Sequence, residues 1–191
     1  MHYVSIDLET TGTNPDRHQI IEFGAVIENT NKNTALEDLP RFKRIVKHPE
    51  YIGQAFALDL NARIFKELVH PTGAAQICKP EELAEDFKSF LVNNGFDLEK
   101  KGYVRLVAAG KNFGNFDLQF LNNLPHWREH IRISNKILDP AMYYINFNQD
   151  EDLPSLEECK IRAGLEDTTV THDALDDALD VIKLLRQQYK S

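Results

Sequence analysis

Two carboxylates one residue apart, Asp7 and Glu9, follow the apolar run of residues 3–6 near the start of the chain. Alternate side chains of a β-strand point to the same face, so both acids should project from one side of the strand end. Two negative charges this close repel each other unless a cation lies between them, and hard divalent metals prefer oxygen ligands. The pair is therefore a candidate site for magnesium or manganese, with two solvent-facing acids as the alternative.

A third acid, Asp117, lies near the start of a helix predicted over residues 115–124. At helical spacing it shares a face with Phe120 and Leu121, the side expected to pack inward. A buried carboxylate needs a partner. The helix dipole offers an alternative explanation for the negative charge, because an acid is favoured near a helix N-terminus.

A final helix is predicted over residues 174–189. Asp173 followed by Asp176 resembles an N-terminal capping arrangement, so His172 should lie on the loop just before the helix. Histidine titrates near neutral pH and can take the proton of an attacking water. His172 is therefore a candidate general base, with an ordinary loop histidine as the alternative.

Asp177 is the one acid within this predicted helix that lines up with the apolar residues Val181 and Leu184. Asp176 and Asp180 fall on a stripe that is predicted to face solvent. Burial of an acid is costly unless it is paired or bound to a metal, so Asp177 joins the candidate ligands.

Acids and a histidine thus fall at inward or convergent positions on separate predicted elements. They are Asp7, Glu9, Asp117, His172 and Asp177. Two divalent ions about 3.5–4 Å apart can generate hydroxide, polarise a phosphorus centre and stabilise a leaving oxygen. The joint pattern favours metal-dependent hydrolysis of a phosphodiester bond.

The elements that must position these residues follow from hydrophobic period and turn signals. Strands are predicted over residues 3–8, 20–28, 42–47, 103–109 and 137–139, and further helices over residues 58–68, 80–92 and 155–164. The first strands are joined by short turns, which indicates an antiparallel meander. Strands and helices then alternate, so we expect an α/β fold with helices packed on a central sheet.

Length and composition indicate one globular domain over residues 1–191. The net charge of −8 argues against broad, salt-driven binding to a polyanion. Basic clusters at residues 41–48 and 126–132 could touch a phosphate backbone or could be mixed-charge surface.

A cytoplasmic location is expected. The sequence shows no basic, apolar leader before the first strand and no apolar stretch of membrane-spanning length. Cys78 and Cys159 lack the spacing of a metal site and are predicted to be packing residues in a reducing compartment.

Three ordered motifs resemble those of the DEDDh family of 3′-to-5′ exonucleases, which includes proofreading exonuclease subunits, RNase T and oligoribonuclease. Residues 7–12 (DLETTG) resemble the first motif, residues 112–117 (NFGNFD) the second, and residues 172–177 (HDALDD) the third. Residues 20–25 and 153–165 also resemble elements of the family, so the likeness covers nearly the whole chain.

The resemblance implies an RNase H-like fold, a five-stranded mixed sheet flanked by helices, and removal of nucleotides from the 3′ end of single-stranded DNA or RNA. It also implies two Mg²⁺ or Mn²⁺ ions per active site. Asp7 would bridge both ions, and Glu9 and Asp177 would hold one of them. Asp117 would act largely through water, and His172 would be the general base.

The resemblance also places a group of residues near the terminal nucleotide. These candidates are Leu8, Thr10, Thr11, Gly12, Phe56, Leu58, Asn112 and Phe113. The apolar members would stack on a base, which is a sequence-tolerant contact. Core packing is the alternative for each of them and for Trp127, which could also stack on a base.

Two other functions compete with a nuclease. A haloacid-dehalogenase-like phosphatase could use Asp7 and the pair Asp176 and Asp177, but its motif requires an aspartate where Glu9 stands and leaves His172 without a role. A non-catalytic nucleic-acid-binding module with an RNase H-like fold should lack an acid or the base, and none is missing here.

Overall fold

Three antiparallel strands form the first part of a central sheet. A computed structural model, which describes residues 1–73 and 75–189, gives them as β1 (His2–Thr10), β2 (Ile20–Asn29) and β3 (Arg41–Val46). β2 pairs with β1 on one side and with β3 on the other, both antiparallel. The predicted meander is confirmed.

The remaining strands are shorter than the sequence pattern indicated. They are β4 (Gln76–Cys78), β5 (Val104–Leu106), β6 (Ala108–Ala109) and β7 (Ile131–Ile133). β4 pairs parallel with β3 and β6 pairs parallel with β1, giving the sheet order β4-β3-β2-β1-β6. The predicted five-stranded mixed sheet is therefore confirmed.

The prediction of one buried strand over residues 103–109 is wrong. β5 pairs with β7 in a separate two-stranded sheet, while β6 joins the central sheet. Arg105 in the middle of β5 is exposed, which a strand buried on both faces would not allow. The strand predicted over residues 137–139 is only a bridge between Leu138 and Ala109.

Helices cover both faces of the sheet. They are α1 (Ala55–Leu60), α2 (Ala62–Val69), α3 (Pro80–Asn93), α4 (Asp117–Asn123), α5 (Trp127–His130), α6 (Ala141–Tyr144), α7 (Leu156–Arg162) and α8 (Ala174–Arg186). The helix predicted over residues 58–68 is divided at Asn61, which separates α1 from α2. Ser155 caps α7 through a capping box with Glu158, as its position predicted.

Apolar clusters lie on both faces of the central sheet. Phe23 of β2 packs against Phe87 of α3 and Trp127 of α5 on one face. Trp127 is 1% exposed and its ring stacks on that of Phe87 with centroids 5.9 Å apart. A base-stacking role for Trp127 is therefore wrong, since the ring offers no free surface.

The start of α8 lies directly against β2 because β2 has a glycine at the point of contact. A Cβ atom on Gly24 would lie 2.2 Å from the carbonyl carbon of Ala174 and 2.4 Å from the amide nitrogen of Leu175. Any side chain at this position would push the helix away from the sheet. Gly24 therefore sets how closely the first turn of α8 approaches β1 and β2.

Cys78 and Cys159 are both free and buried, in agreement with the predicted packing roles. Within residues 1–73 and 75–189, no helix has both the length and the apolar character needed to cross a membrane.

The contact at Gly24 predicts a large stability loss for Gly24→Ala. Because the clashing atoms belong to the backbone of α8, which cannot rotate away, we expect the free energy of unfolding to fall by at least about 2 kcal/mol. Gly114→Ala is the matched control, since its Cβ would meet only the flexible end of Ile137 at 3.1 Å. Urea unfolding measures both variants, and an equal effect of the two would contradict the role of Gly24.

Candidate active site

The end of β1 presents its acids to the first turn of α8. In the register of β1 and β2, Asp7 lies opposite Gly24 and Glu9 lies opposite Glu22. Glu9 is 7% exposed and Asp7 is half-buried. Since Gly24 is the contact point for α8, both acids lie close to the N-terminal end of that helix.

Helix α4 brings a third acid to the same place. Asp117 is the first residue of α4 and is 4% exposed. Phe120 and Leu121 are also buried, so this face of the helix packs inward as the helical period predicts. The backbone of Leu8, the residue between the two acids of β1, lies close enough to the Asp117 carboxylate to lower its pKa. This contact joins the start of α4 to the end of β1.

Asp173 ends the loop before α8 and caps the helix. Its side chain accepts hydrogen bonds from the amides of Leu175 at 3.1 Å and Asp176 at 3.4 Å, as the capping pattern predicted. His172 therefore lies just outside the helix, with its side chain exposed and a φ of +52°.

Asp177, one turn into α8, is 4% exposed. One ligand atom each of Glu9, His172 and Asp177 lie within 4.8 Å of one another. The structure thus brings together side chains that are up to 168 residues apart, since Glu9 and Asp177 come from opposite ends of the chain. Asp7 and Asp117 lie close enough for electrostatic repulsion between them.

Asp180 corrects the expectation for the faces of α8. Asp176 is exposed as predicted, but Asp180 is 5% exposed instead of facing solvent. Lys160 of α7, which is 1% exposed, donates to Asp180, and Lys183 donates to it at 2.6 Å. A cation from another helix makes this burial possible, and helical period alone could not reveal it.

Burial raises the pKa of every acid at the site. It raises the pKa to about 8 at Asp117, to about 7 at Glu9 and to about 6 at Asp177. Repulsion from Asp180 adds to the raised pKa of Asp177. The pKa of Asp7 is raised well above its ordinary value, first by burial and then by repulsion from Asp117 and Asp177.

The site acids differ from other buried acids of this protein in having no cationic partner. Glu22, Glu28 and Asp180 each form salt bridges with lysine or arginine. Among the described residues, no salt bridge reaches the acids of the candidate site. Oδ1 of Asp177 is buried without any hydrogen-bond partner. Clustered carboxylates that lack a cationic partner fit a hard divalent cation.

The two threonine side chains of the first motif are engaged within the protein. Thr11 Oγ1 donates to the carbonyl of Ile52 at 2.6 Å, and Thr10 Oγ1 donates to the carbonyl of Gly12 at 2.8 Å. A Cβ on Gly12 would meet the ring of His18 at 2.5 Å. These residues therefore shape the loop after β1, and any contact with a substrate falls to their backbone.

The predicted base-stacking role is wrong for two residues. Leu8 is 6% exposed and Phe113 is fully buried, and both belong to the main apolar cluster. Leu8 points away from the acids because alternate strand side chains face opposite sides. Their role is core packing, which leaves only the backbone of Leu8 near the candidate site.

The other substrate candidates remain accessible. Phe56 of α1 is 78% exposed, Leu58 is partly buried, and Asn112 is exposed. Asn112 adopts a φ of +56°, and its amide donates to the Asp139 carboxylate at 2.8 Å. These three positions stay predictions for substrate contact.

The basic cluster at residues 41–48 is largely used inside the protein. Lys43 pairs with Asp173 at 2.5 Å, and Arg44 pairs with Asp86 at 3.2 Å. These contacts favour the mixed-charge alternative over contact with a phosphate backbone.

Three residues that support the site were not predicted from the sequence. Glu22 is fully buried beside Glu9, Asn61 lies close enough to Glu9 to lower its pKa, and Arg63 donates to Glu22. An acid within the apolar strand of residues 20–27 was a signal for Glu22. The residues around Asn61 and Arg63 carry no comparable signal, because their roles depend on contacts between distant segments.

Comparisons with known proteins agree with this geometry. A model of the RNase_T family, described as an exonuclease, matches residues 4–54, a stretch that contains Asp7, Glu9 and Glu22. No curated protein sequence matched the chain.

Solved structures match nearly the whole chain. The nuclease domain of 3′hExo, a DEDDh family member bound to rAMP, has a TM-score of 0.69 and 16% identity, covering 99% of this chain and 92% of that chain. A full-length 3′-exonuclease has a TM-score of 0.64 and 18% identity, covering 99% of this chain and 60% of that chain. E. coli Exonuclease I in complex with a 5cy-dT13 oligonucleotide has a TM-score of 0.59 and 18% identity. That match covers 99% of this chain and 41% of that chain.

These matches confirm the predicted RNase H-like fold. Together with the exonuclease family model over residues 4–54, they confirm the predicted resemblance to DEDDh exonucleases. The phosphatase alternative loses its basis, because Asp176 is exposed while Asp177 is buried and the two do not act as a pair.

The raised pKa values predict how the stability of the metal-free protein changes with pH. A carboxyl whose pKa is raised in the folded state contributes stability that is present below its unfolded pKa and is lost as the pH rises through the folded value. For Asp177, Glu9 and Asp117 that loss falls between about pH 4 and pH 8. Measured in EDTA, the free energy of unfolding should fall by up to about 1.4 kcal/mol per carboxyl for each pH unit.

Glu9→Gln is the control for this measurement, because glutamine keeps the shape of the side chain and cannot ionise. The variant should lose less stability than the native protein over the same pH range. Parallel stability curves for the two proteins would contradict the raised pKa of Glu9.

Proposed function

We propose that this protein removes nucleotides one at a time from the 3′ end of single-stranded DNA or RNA, using two divalent metal ions. The observation that carries the proposal is the convergence of Glu9, His172 and Asp177 within 4.8 Å, with a buried oxygen of Asp177 left without a partner. Mg²⁺ or Mn²⁺ is the expected metal, because the donors are hard carboxylate oxygens.

Each acid has an expected role. Asp7, Glu9 and Asp177 would hold the ions directly, and Asp117 would act mainly through water. When bound, such ions would activate a water molecule and stabilise the charge that develops on the phosphate and on the leaving oxygen. The raised pKa values of the acids mean that protons compete with the metal for this site.

His172 is proposed as the general base. Its imidazole is exposed, so solvent and a bound substrate can reach it, and it lies beside Glu9 and Asp177. A neutral imidazole there can accept the proton of the attacking water. Its position on a loop that Asp173 ends by capping α8 keeps the ring outside the helix.

The terminal base is expected to contact α1. Thr11 holds the start of this segment, since the amide of Gln54 donates to the Thr11 carbonyl at 2.8 Å. Phe56 follows two residues later with most of its ring exposed, which suits stacking on a base of any sequence. Leu58 and Asn112 are proposed as further contacts, together with the backbone of Thr10 and Gly12.

Single-stranded ends are favoured over long duplexes. A net charge of −8 leaves few groups that could neutralise the phosphates of a long duplex. Several structures that this chain resembles are complexes of E. coli Exonuclease I with dT13 or dA16 oligonucleotides. One is a zinc-bound form of such a complex.

Residues 1–191 are proposed to form one exonuclease domain, which is supported by the 92% coverage of the 3′hExo nuclease domain. A cytoplasmic location is also proposed, on the ground that both cysteines are free and buried.

Incubation with 5′-labelled single-stranded DNA and RNA tests the proposed function. With Mg²⁺ or Mn²⁺ we expect a ladder of products that shorten from the 3′ end, and none with EDTA. Asp177→Asn should lower the rate by at least about 100-fold, because loss of a metal ligand should cost more than the 10–100-fold typical of supporting residues.

Asp176→Asn is the matched control, since it removes an adjacent but exposed acid of the same helix. Its rate should stay close to that of the native protein. Undiminished hydrolysis by Asp177→Asn, or loss of activity in both variants alike, would contradict the assigned role. Absence of any hydrolysis by the native protein would favour the non-catalytic module.

A further inference from the structure

Glu22 is a fully buried acid at the centre of the sheet, directly opposite Glu9. Like charges on opposed strand positions destabilise a sheet, and a buried carboxylate without partners is costly. Glu22 therefore depends on the groups that surround it. Those groups come from three different elements, so Glu22 connects segments that are distant from one another in the sequence.

Both oxygens of Glu22 are satisfied. Arg63 of α2 donates to Oε1 at 2.8 Å and to Oε2 at 2.6 Å, a bidentate arrangement. The amide of Ala174, the first residue of α8, donates to Oε2 at 3.0 Å. Lys43 of β3 lies 3.3 Å from Oε1. Glu22 thus ties α2, β3 and the start of α8 to β2.

Arg63 also contacts the loop that carries the proposed base. Its Nη2 donates to the main-chain carbonyl of His172 at 2.7 Å and lies 3.4 Å from Asp173. His172 has a φ of +52°, a left-handed conformation that is unfavourable for a non-glycine residue. A conformation of this kind persists only where the surroundings hold it, and the Arg63 contact is made at that residue.

From these contacts we propose that Arg63 is a positioning residue of the active site. Through its bond to the His172 carbonyl it holds the imidazole beside Glu9 and Asp177, and through Glu22 it fixes the first turn of α8. The proposal rests on the proposed function of His172. Arg63 would act only by holding other groups in place, because it binds the main chain of His172 and the carboxylate of Glu22 and takes no part in proton transfer.

The arginine side chain is specific for this task. A guanidinium presents donors in a rigid fork that spans both oxygens of Glu22 and still reaches the carbonyl. A lysine in its place would keep the charge beside Glu22 but would lose the fork. Arg63→Lys therefore separates positioning from charge compensation, and it keeps a second cation beside Glu22 in addition to Lys43.

A matched control exists on α7. Arg162 makes the same kind of contact elsewhere, since it binds both oxygens of Asp150 and donates to the main-chain carbonyl of Tyr144 at 2.7 Å. Arg162→Lys thus removes an equivalent fork that touches none of the candidate site acids.

Steady-state kinetics on a 5′-labelled oligonucleotide tests the proposal. Arg63→Lys should lower kcat by about 10–100-fold, the range for residues that orient a catalytic group, and leave KM within about threefold. Arg162→Lys should keep the native kcat. In Arg63→Ala, added guanidine at millimolar concentration should restore part of the lost kcat. Equal kcat values for Arg63→Lys and Arg162→Lys would overturn the proposal.

Amide hydrogen exchange supplies a readout that does not depend on activity. In Arg63→Lys, exchange of the Ala174 amide should become at least tenfold faster, while Arg162→Lys should leave it unchanged. If the native protein hydrolyses nothing, the proposed function fails while this exchange result still tests the contact. Unchanged exchange in an otherwise active protein would refute Arg63 as the residue that holds this loop.

Discussion

Repulsion among the unpaired acids at the end of β1 is the constraint on which this structure depends. Other buried acids of the protein have cations at hand: Glu22 has Arg63, and Asp180 has Lys160. The acids of the candidate site are buried or half-buried, yet within the described residues they form no salt bridge, and burial together with repulsion from neighbouring acids raises the pKa of each. A fold that compensates some acids and concentrates others in one place is suited to bind divalent cations there.

The fold imposes this concentration through backbone contacts. The antiparallel register places Glu9 opposite Glu22, and the glycine at position 24 allows α8 to approach until Asp177 faces the end of β1. Two short elements complete the site. β6 has only two residues, and α4 follows it along the chain and begins at Asp117. The central meander and α8 thus carry the geometry of the candidate site.

The sequence could predict those parts of the site that depend on the local periodicity of a strand or a helix. Strand alternation placed Asp7 and Glu9 on one face, and helical spacing placed Asp177 on the buried side of α8. Asp180 escaped prediction because its burial depends on Lys160, twenty residues away on another helix. The exposure of Phe56 and the burial of Phe113 likewise follow from tertiary packing, since both residues are equally apolar.

Anomalous diffraction from crystals soaked in Mn²⁺ with a nucleoside monophosphate would locate the ions that these acids bind. We expect two manganese peaks about 3.5–4 Å apart, bounded by Asp7, Glu9 and Asp177. Peaks elsewhere, for instance beside Glu22 and Asp173, or no peak at the end of β1, would contradict this expectation.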